Sequence, residues 1–422
     1  MTARRWALAW LAVSSAVLLV LVVLLTPWGG VPPRSSTDVV GSFTAEQVAR
    51  GNAFHAQLRP PVYLAMVVGL LLTAWLGLTR RGLAGVRVVA GRVTRRWWLQ
   101  VPVAVLVVAV VGWLARLPFA AWGEVVLRRW GLSTQGWGSW LADGAKGLGI
   151  GVGLTAGALL LLVGISRRLP RWWFLPASLG AAGLVVVTSF AYPVVFEPVF
   201  NSFRPLPAGE LRTTLLRLAT RDGLDVDEVL VADASRRTTR LNAYVSGFGS
   251  TRRIVVYDTL LAQASPDEVT AIVAHELGHA KHRDVLVGTA IGAAGAVAGV
   301  TALYLLLTSG FVRRRGVSGA GDPMAAVTVL ALAAVVGVAA APVESAISRQ
   351  VEARADRHAL DLTGDPGTVV AMQRRLSTTN LSDLDPPTWS YLLFATHPTA
   401  AQRIALARAW AVAHADGTVS PR

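Results

Sequence analysis

Cysteine is absent from all 422 residues. That excludes disulfides and thiolate metal ligands, so any metal must be held by His, Asp or Glu. Charge is scarce as well: Asp, Glu, Lys and Arg make up 15% of the chain against 53% hydrophobic residues, with a mean hydropathy of +0.50. A soluble protein of this length needs far more charge to cover its surface. This excludes an ordinary soluble domain and points to a multi-pass membrane protein. Acid is the rarer sign, 25 Asp and Glu against 40 Lys and Arg, for a formal net charge of +15. In a soluble chain such an excess suggests nucleic acid. Here most of it lies in short loops beside apolar runs, where it orients a membrane protein, so no nucleic-acid partner is expected. No internal repeat and no low-complexity tail is visible.

Seven apolar runs reach the length of roughly 20 residues that a bilayer demands. They lie near 6–27, 62–79, 98–120, 147–165, 173–196, 285–309 and 324–341. The first has Arg4 and Arg5 before a long apolar core and no clear small-residue cleavage site, so it reads as a retained helix. Arg116 and Pro118 interrupt the third and leave its end open. The expected fold is predominantly α and multi-pass, with seven transmembrane helices and a polar domain holding a small β-sheet. Four stretches follow: 1–196 with five spans, 197–284 as a first polar segment, 285–341 with two more spans, and 342–422 as a second polar segment. In the first polar segment, Leu211, Leu215 and Leu218 make an amphipathic helix near 207–222 that Gly223 stops. Residues 229–235 read as a strand, and 241–249 with 252–258 as a hairpin about Gly249–Ser250. Pro342 is expected to kink the seventh span or restart it as a polar helix ending near Gly364.

The stretch AHELGHAKHRD, 274–284, carries the chemistry. Ser265, Pro266 and Glu268 mark the start of the helix that holds it, as a capping box with Pro in the first turn. Positions i and i+4 share one helix face, so His275 and His279 can aim both imidazoles at one zinc ion. Glu276, next to the first ligand, is placed to take a proton from a water that the zinc acidifies. A third protein ligand is needed. An extended histidine motif would require Gly at 282 and His at 285, where the chain has His282 and Val285, so His282 is expected outside the ligand set. Glu352 is the favoured third ligand, because Asp356 follows on the same face and can orient a ligand imidazole. Glu344, just after Pro342, competes for that role.

With these motifs in place, the sequence resembles the integral-membrane CAAX prenyl endopeptidases, seven-span gluzincin zinc proteases. The resemblance runs through 200–212, 233–249, 252–261, 265–284, 348–356 and 397–404, while the N-terminal half matches mainly in hydropathy. It implies that His275, His279 and Glu352 bind Zn²⁺ and that Glu276 is the catalytic base and acid. It also implies that Asn242 lies on an edge strand pairing with substrate backbone. By the same resemblance His397 is catalytic, facing the cleft to hold the scissile carbonyl or its oxyanion. Arg403 contributes to that wall, and Arg349 and Asp356 support the ligands. The implied partners are a membrane-associated peptide or protein and the lipid bilayer. A bias to Arg, Ala, Val and Gly suggests a bacterial chain, for which misfolded membrane proteins suit better than prenylated substrates. Arg-rich loops at 80–97, 166–172 and 310–323 place those loops inside a plasma membrane and the catalytic segments outside the cytoplasm. The alternatives are a catalytically inactive peptide-binding relative and a metal-linked transporter. The latter is disfavoured because the spans contain almost no carboxylates.

Overall fold

The computed structural model of the chain describes residues 2–247 and 251–415. Five long helices come first: α1 (Ala3–Leu25), α2 (Ala45–Leu78), α3 (Trp97–Arg129), α4 (Trp137–Arg168) and α5 (Phe174–Ala191). A polar segment follows with α6 (Glu210–Arg221), α7 (Pro266–Lys281) and four strands. Helices α8 (Asp284–Leu307) and α9 (Ala325–Thr363) return to the apolar region, and α10 (Pro366–Thr379) and α11 (Ala400–Ala415) end the described chain. Among the described residues, α1 to α5, α8 and α9 are the seven helices long and apolar enough to cross a membrane. Their most apolar windows are only 6–22% buried within the protein, so most of this surface is left to face lipid. The chain is a multi-span membrane protein.

The bundle is held by close helix approaches. A Cβ added at Gly77 of α2 would stand 2.4 Å from the Val327 carbonyl oxygen and 2.5 Å from Ala331 Cβ, so only glycine lets α2 and α9 meet there. At the end of the bundle away from the polar segments, basic side chains bind loop carbonyls. Arg315 Nε donates to Leu78 O at 2.8 Å and Arg87 Nη2 to Gly316 O at 2.9 Å, and Arg167 Nη1 donates to Gly321 O at 2.8 Å. The three Arg-rich loops therefore share one face.

Several helices outrun the apolar runs read from sequence. Helix α2 extends the expected span back to Ala45 through Pro60 and Pro61, and α3 continues past Arg116 and Pro118 to Arg129. The restart expected at Pro342 is not present, because α9 is one helix of 39 residues with Pro342 inside it. Composition changes at the edge of the apolar zone while the backbone does not: one proline removes one N–H, and neighbouring turns and packed helices carry the rest.

The polar segments form a second core. Leu215 and Leu218 of α6 are buried as their spacing dictates, and Gly223 ends the helix region at φ +73°. The sheet has order β1-β2-β4-β3, with β1 (Phe203–Pro205), β2 (Glu228–Ala232), β3 (Ala243–Ser246) and β4 (Arg253–Tyr257). Strands β2 and β4 are parallel, and β3 pairs antiparallel with β4 from Ala243↔Val256 to Ser246↔Arg253. That is the hairpin the alternation predicted; its Gly249–Ser250 turn lies outside the described residues. Strand β3 is an edge strand, packed on α7.

Candidate active site

Helix α7 is pinned at its start. Ser265 Oγ accepts from Glu268 N at 3.2 Å, and Glu268 Oε2 accepts from Ser265 N at 2.9 Å. Arg375 Nε lies 2.8 Å from both Glu268 oxygens. Ile272, Val273 and Leu277 face the core, which turns His275, Glu276 and His279 toward α9 and the cleft. The helices approach closely because residue 278 is glycine. A Cβ there would lie 3.2 Å from Ala355 Cα and 3.1 Å from His358 Cβ.

This approach brings Glu352 of α9 to the histidine pair. His275 Nε2 and His279 Nε2 are 3.2 Å apart. Glu352 Oε2 is 3.2 Å from His275 Nε2, and Oε1 is 3.6 Å from His279 Nε2. One ligand atom from each of the three side chains lies within 4.8 Å of the others. Glu352 Oε2 is buried and makes no hydrogen bond. A buried carboxylate oxygen without a donor, facing two imidazole nitrogens, is what a divalent cation satisfies, so these residues suit a metal. Glu344 is exposed on the same helix and outside the group, and exposed His282 ends α7 with its ring 5.4 Å from that of His358.

Each imidazole is oriented from behind. His275 Nδ1 lies 2.9 Å from Asp356 Oδ1, and His279 Nδ1 lies 2.8 Å from Asp284 Oδ2. Both Nδ1 atoms then carry protons and both Nε2 lone pairs point inward. Arg403 binds Asp356 through Nε at 2.8 Å and again through Nη2, and Arg354 binds Asp284. Burial disfavours the His275 cation, yet the neighbouring Asp356 and Glu352 carboxylates raise its pKa to about 10 in the metal-free site. Burial pushes the Glu276 carboxyl up, against the two imidazoles that pull it down.

The surroundings form a cleft of about 560 Å³ lined by Glu276, Asn242, His397 and Arg403 among others. His397 Nε2 stands 3.3 Å from Glu352 Oε1 with its side chain 57% exposed, so it can meet both the ligand cluster and a bound molecule. Arg349 reaches the loop before His397 and no ligand side chain: it donates to Tyr391 O at 3.0 Å and Ala395 O at 2.7 Å. Asn242 is exposed at the entry to β3.

Two site residues escaped sequence reasoning. Asp284 was legible only as the last letter of the motif stretch, because its return to His279 depends on Arg283 turning at φ +56°, where glycine would have given the signal. Asn380 clasps the chain before β3, accepting from Leu241 N at 2.8 Å and donating to Leu241 O at 3.1 Å. No local pattern announces a side chain that imitates a paired strand.

Comparison with known proteins adds an independent line. The model of Peptidase family M48 matches residues 205–411, and that of the CAAX prenyl protease N-terminal region, with five membrane helices, matches 62–202. A Bacillus subtilis (strain 168) protein named as an uncharacterized metalloprotease, YhfN, is 30% identical over 310 residues, 73% of each chain. CAAX prenyl protease 1 of Saccharomyces cerevisiae is 34% identical over 170 residues, covering 39% of this chain and 37% of that one. The crystal structure of S. mikatae Ste24p has the same fold, with a TM-score of 0.74 at 23% identity over 95% of this chain and 99% of that chain.

Proposed function

The chain belongs to Peptidase family M48 and is a membrane metalloprotease, and from that premise we propose that it is a zinc endopeptidase with Glu276 as proton acceptor and donor. The observation that carries this reading is the meeting of His275 and His279 from α7 with Glu352 from α9, beside Glu276 in one cleft. Bound there, zinc supplies a Lewis acid and makes water acidic enough to ionise near neutrality. Glu276 takes the proton from the attacking water and returns it to the leaving amine. His397 and Arg403 face the carbonyl oxygen as charge develops on it. Asp356 and Asp284 hold the Nδ1 protons, which aims both Nε2 atoms at the metal position. The free edge of β3, entered at Asn242, holds an extended substrate backbone. Relatives are named as CAAX prenyl proteases, but the yeast protein is matched over only 37% of its length. We assign this chain a broader task, the cutting of membrane-associated or misfolded polypeptides.

The test is cleavage of a membrane-anchored peptide by the purified chain. A chelator abolishes it, and Glu276→Gln abolishes it with metal content unchanged. Activity that persists in Glu276→Gln refutes the mechanism, and unchanged metal content in Glu352→Ala refutes the third ligand. An inactive peptide-binding relative would lack chelator-sensitive cleavage. The shared Arg-rich face supports a site on the non-cytoplasmic side. The cysteine-free chain makes that measurable: a membrane-impermeant maleimide should label Ser36→Cys, between α1 and α2, from outside and Arg92→Cys only after lysis. The opposite labelling reverses the orientation.

A further inference from the structure

His397 reaches Glu352 from a loop, residues 395–399, between a short helix (Thr388–Phe394) and α11. An exposed ring on a loop keeps one orientation only if the backbone beneath it is held. Thr396 Oγ1 lies 3.0 Å from His397 Nδ1 and fixes the ring against its own loop. The loop in turn is held two residues to either side of His397. At Ala395 the holder is Arg349. At Thr399 it is Gln402, in the first turn of α11 and 3% exposed. Gln402 Oε1 accepts from Thr399 N at 2.9 Å, and Thr399 Oγ1 accepts from Gln402 N at 3.3 Å.

That reciprocal pair is a capping box, which any helix start can use. Gln402 makes two bonds that a cap does not need. The same Oε1 accepts from Tyr391 Oη at 3.0 Å, and Nε2 donates to Pro32 O in the stretch between α1 and α2. Tyr391 is itself held. It is buried, it carries the Arg34 and Arg349 guanidinium groups over its ring at 4.8 and 4.5 Å, and its carbonyl accepts from Arg349. The Tyr391–Gln402 bond therefore joins the anchor at Ala395 to the anchor at Thr399. We propose that Tyr391 and Gln402 are positioning residues, which set the His397 ring against the ligand group by holding both ends of its loop. This rests on the reading of His397 as a group that faces the carbonyl oxygen.

The experiment measures kcat and KM for the membrane-anchored peptide with the full zinc-loaded chain, and a melt checks that each variant is folded. Tyr391→Phe removes one hydroxyl and leaves the capping box whole; Gln402→Met removes all the amide bonds at similar volume. Each is made in the parent and in His397→Ala. Since about 1 Å of misplacement costs about a hundredfold, Tyr391→Phe should lower kcat about fivefold and Gln402→Met at least about tenfold, with KM and zinc affinity within about twofold. Residues that act through one partner are not additive, so in His397→Ala neither change should lower kcat more than about twofold further. Equal losses with and without His397, or an unchanged kcat in both variants, overturn the proposal and leave Gln402 a helix cap. A rise in KM alone makes Tyr391, which also lines the cleft, a substrate contact and overturns it too. If His397→Ala by itself leaves kcat unchanged, the reading of His397 fails, and this proposal with it.

Discussion

Replacing Asp284 separates orientation of a metal ligand from stability of the fold. Its Oδ2 holds His279 Nδ1 at 2.8 Å, and its other oxygen meets Arg354. The Arg354 side chain is 22% exposed, so water can solvate the guanidinium once its partner is gone. Asp356 is a poorer subject: its side chain and that of Arg403 are 5% and 13% exposed, and breaking such a buried pair costs about 3–5 kcal/mol of stability. Loss of an outer partner of a ligating histidine lowers metal affinity about 10–100-fold, or about 1.4–2.8 kcal/mol. Asp284→Asn still offers an oxygen to Nδ1 and should fall near tenfold. Asp284→Ala offers nothing and should approach a hundredfold. The assay is competition with a fluorescent zinc chelator, alongside a melt of each metal-loaded variant. If Asp284→Ala bound zinc within twofold of the parent while still folded, the idea that this carboxylate fixes the imidazole would be wrong.

Three further outcomes follow from the geometry. Gly278→Ala places a Cβ 3.1–3.2 Å from α9 and must part the ligand helices by a few tenths of an ångström; since about 1 Å of misplacement costs about a hundredfold, kcat/KM for peptide cleavage should fall several-fold, and an unchanged value would show that α9 yields freely. Burial opposes ionisation of Glu268, but Arg375 and the Ser265 N–H hold its carboxyl below the ordinary glutamate value of 4.5. Its stabilisation of α7 is then fully present above pH 4.5 and lost as pH falls through the lower folded value, so Glu268→Gln should melt about 1 kcal/mol less stably than the parent at pH 7 and the gap should close in acid; a gap constant with pH would refute the pairing. Gly77→Ala, whose Cβ would meet the Val327 carbonyl at 2.4 Å, should destabilise the bundle by about 1–3 kcal/mol, read as the melting temperature in detergent.

Much of this site was legible because local rules and tertiary demand agree. Ser265 and Glu268 cap a helix wherever it packs, and the i, i+4 histidines share a face on any helix. The Glu352–Asp356 pair could be chosen over Glu344 because an oriented imidazole needs a second acid one turn on. What escaped reading depends on the path of the chain. Asp284 needs a left-handed turn at a non-glycine residue, and Asn380 acts on a segment 139 positions away. The seven apolar runs declared seven helices. Their true ends were hidden, since hydropathy records where lipid stops and hydrogen bonding decides where a helix stops, as the unbroken passage through Pro342 shows.

That passage makes α9 a lever. Glu352 rides on the same rod whose far end, Ala325 to Val327, is wedged in the bundle core. From Val327 to Glu352 the rod measures roughly 38 Å. A pivot of about one degree at the wedged end swings the carboxylate by about 0.7 Å, close to the displacement that costs a hundredfold in rate. Bilayers of different thickness set different helix tilts, so turnover measured against acyl-chain length reports how stiffly this rod couples the membrane to the metal.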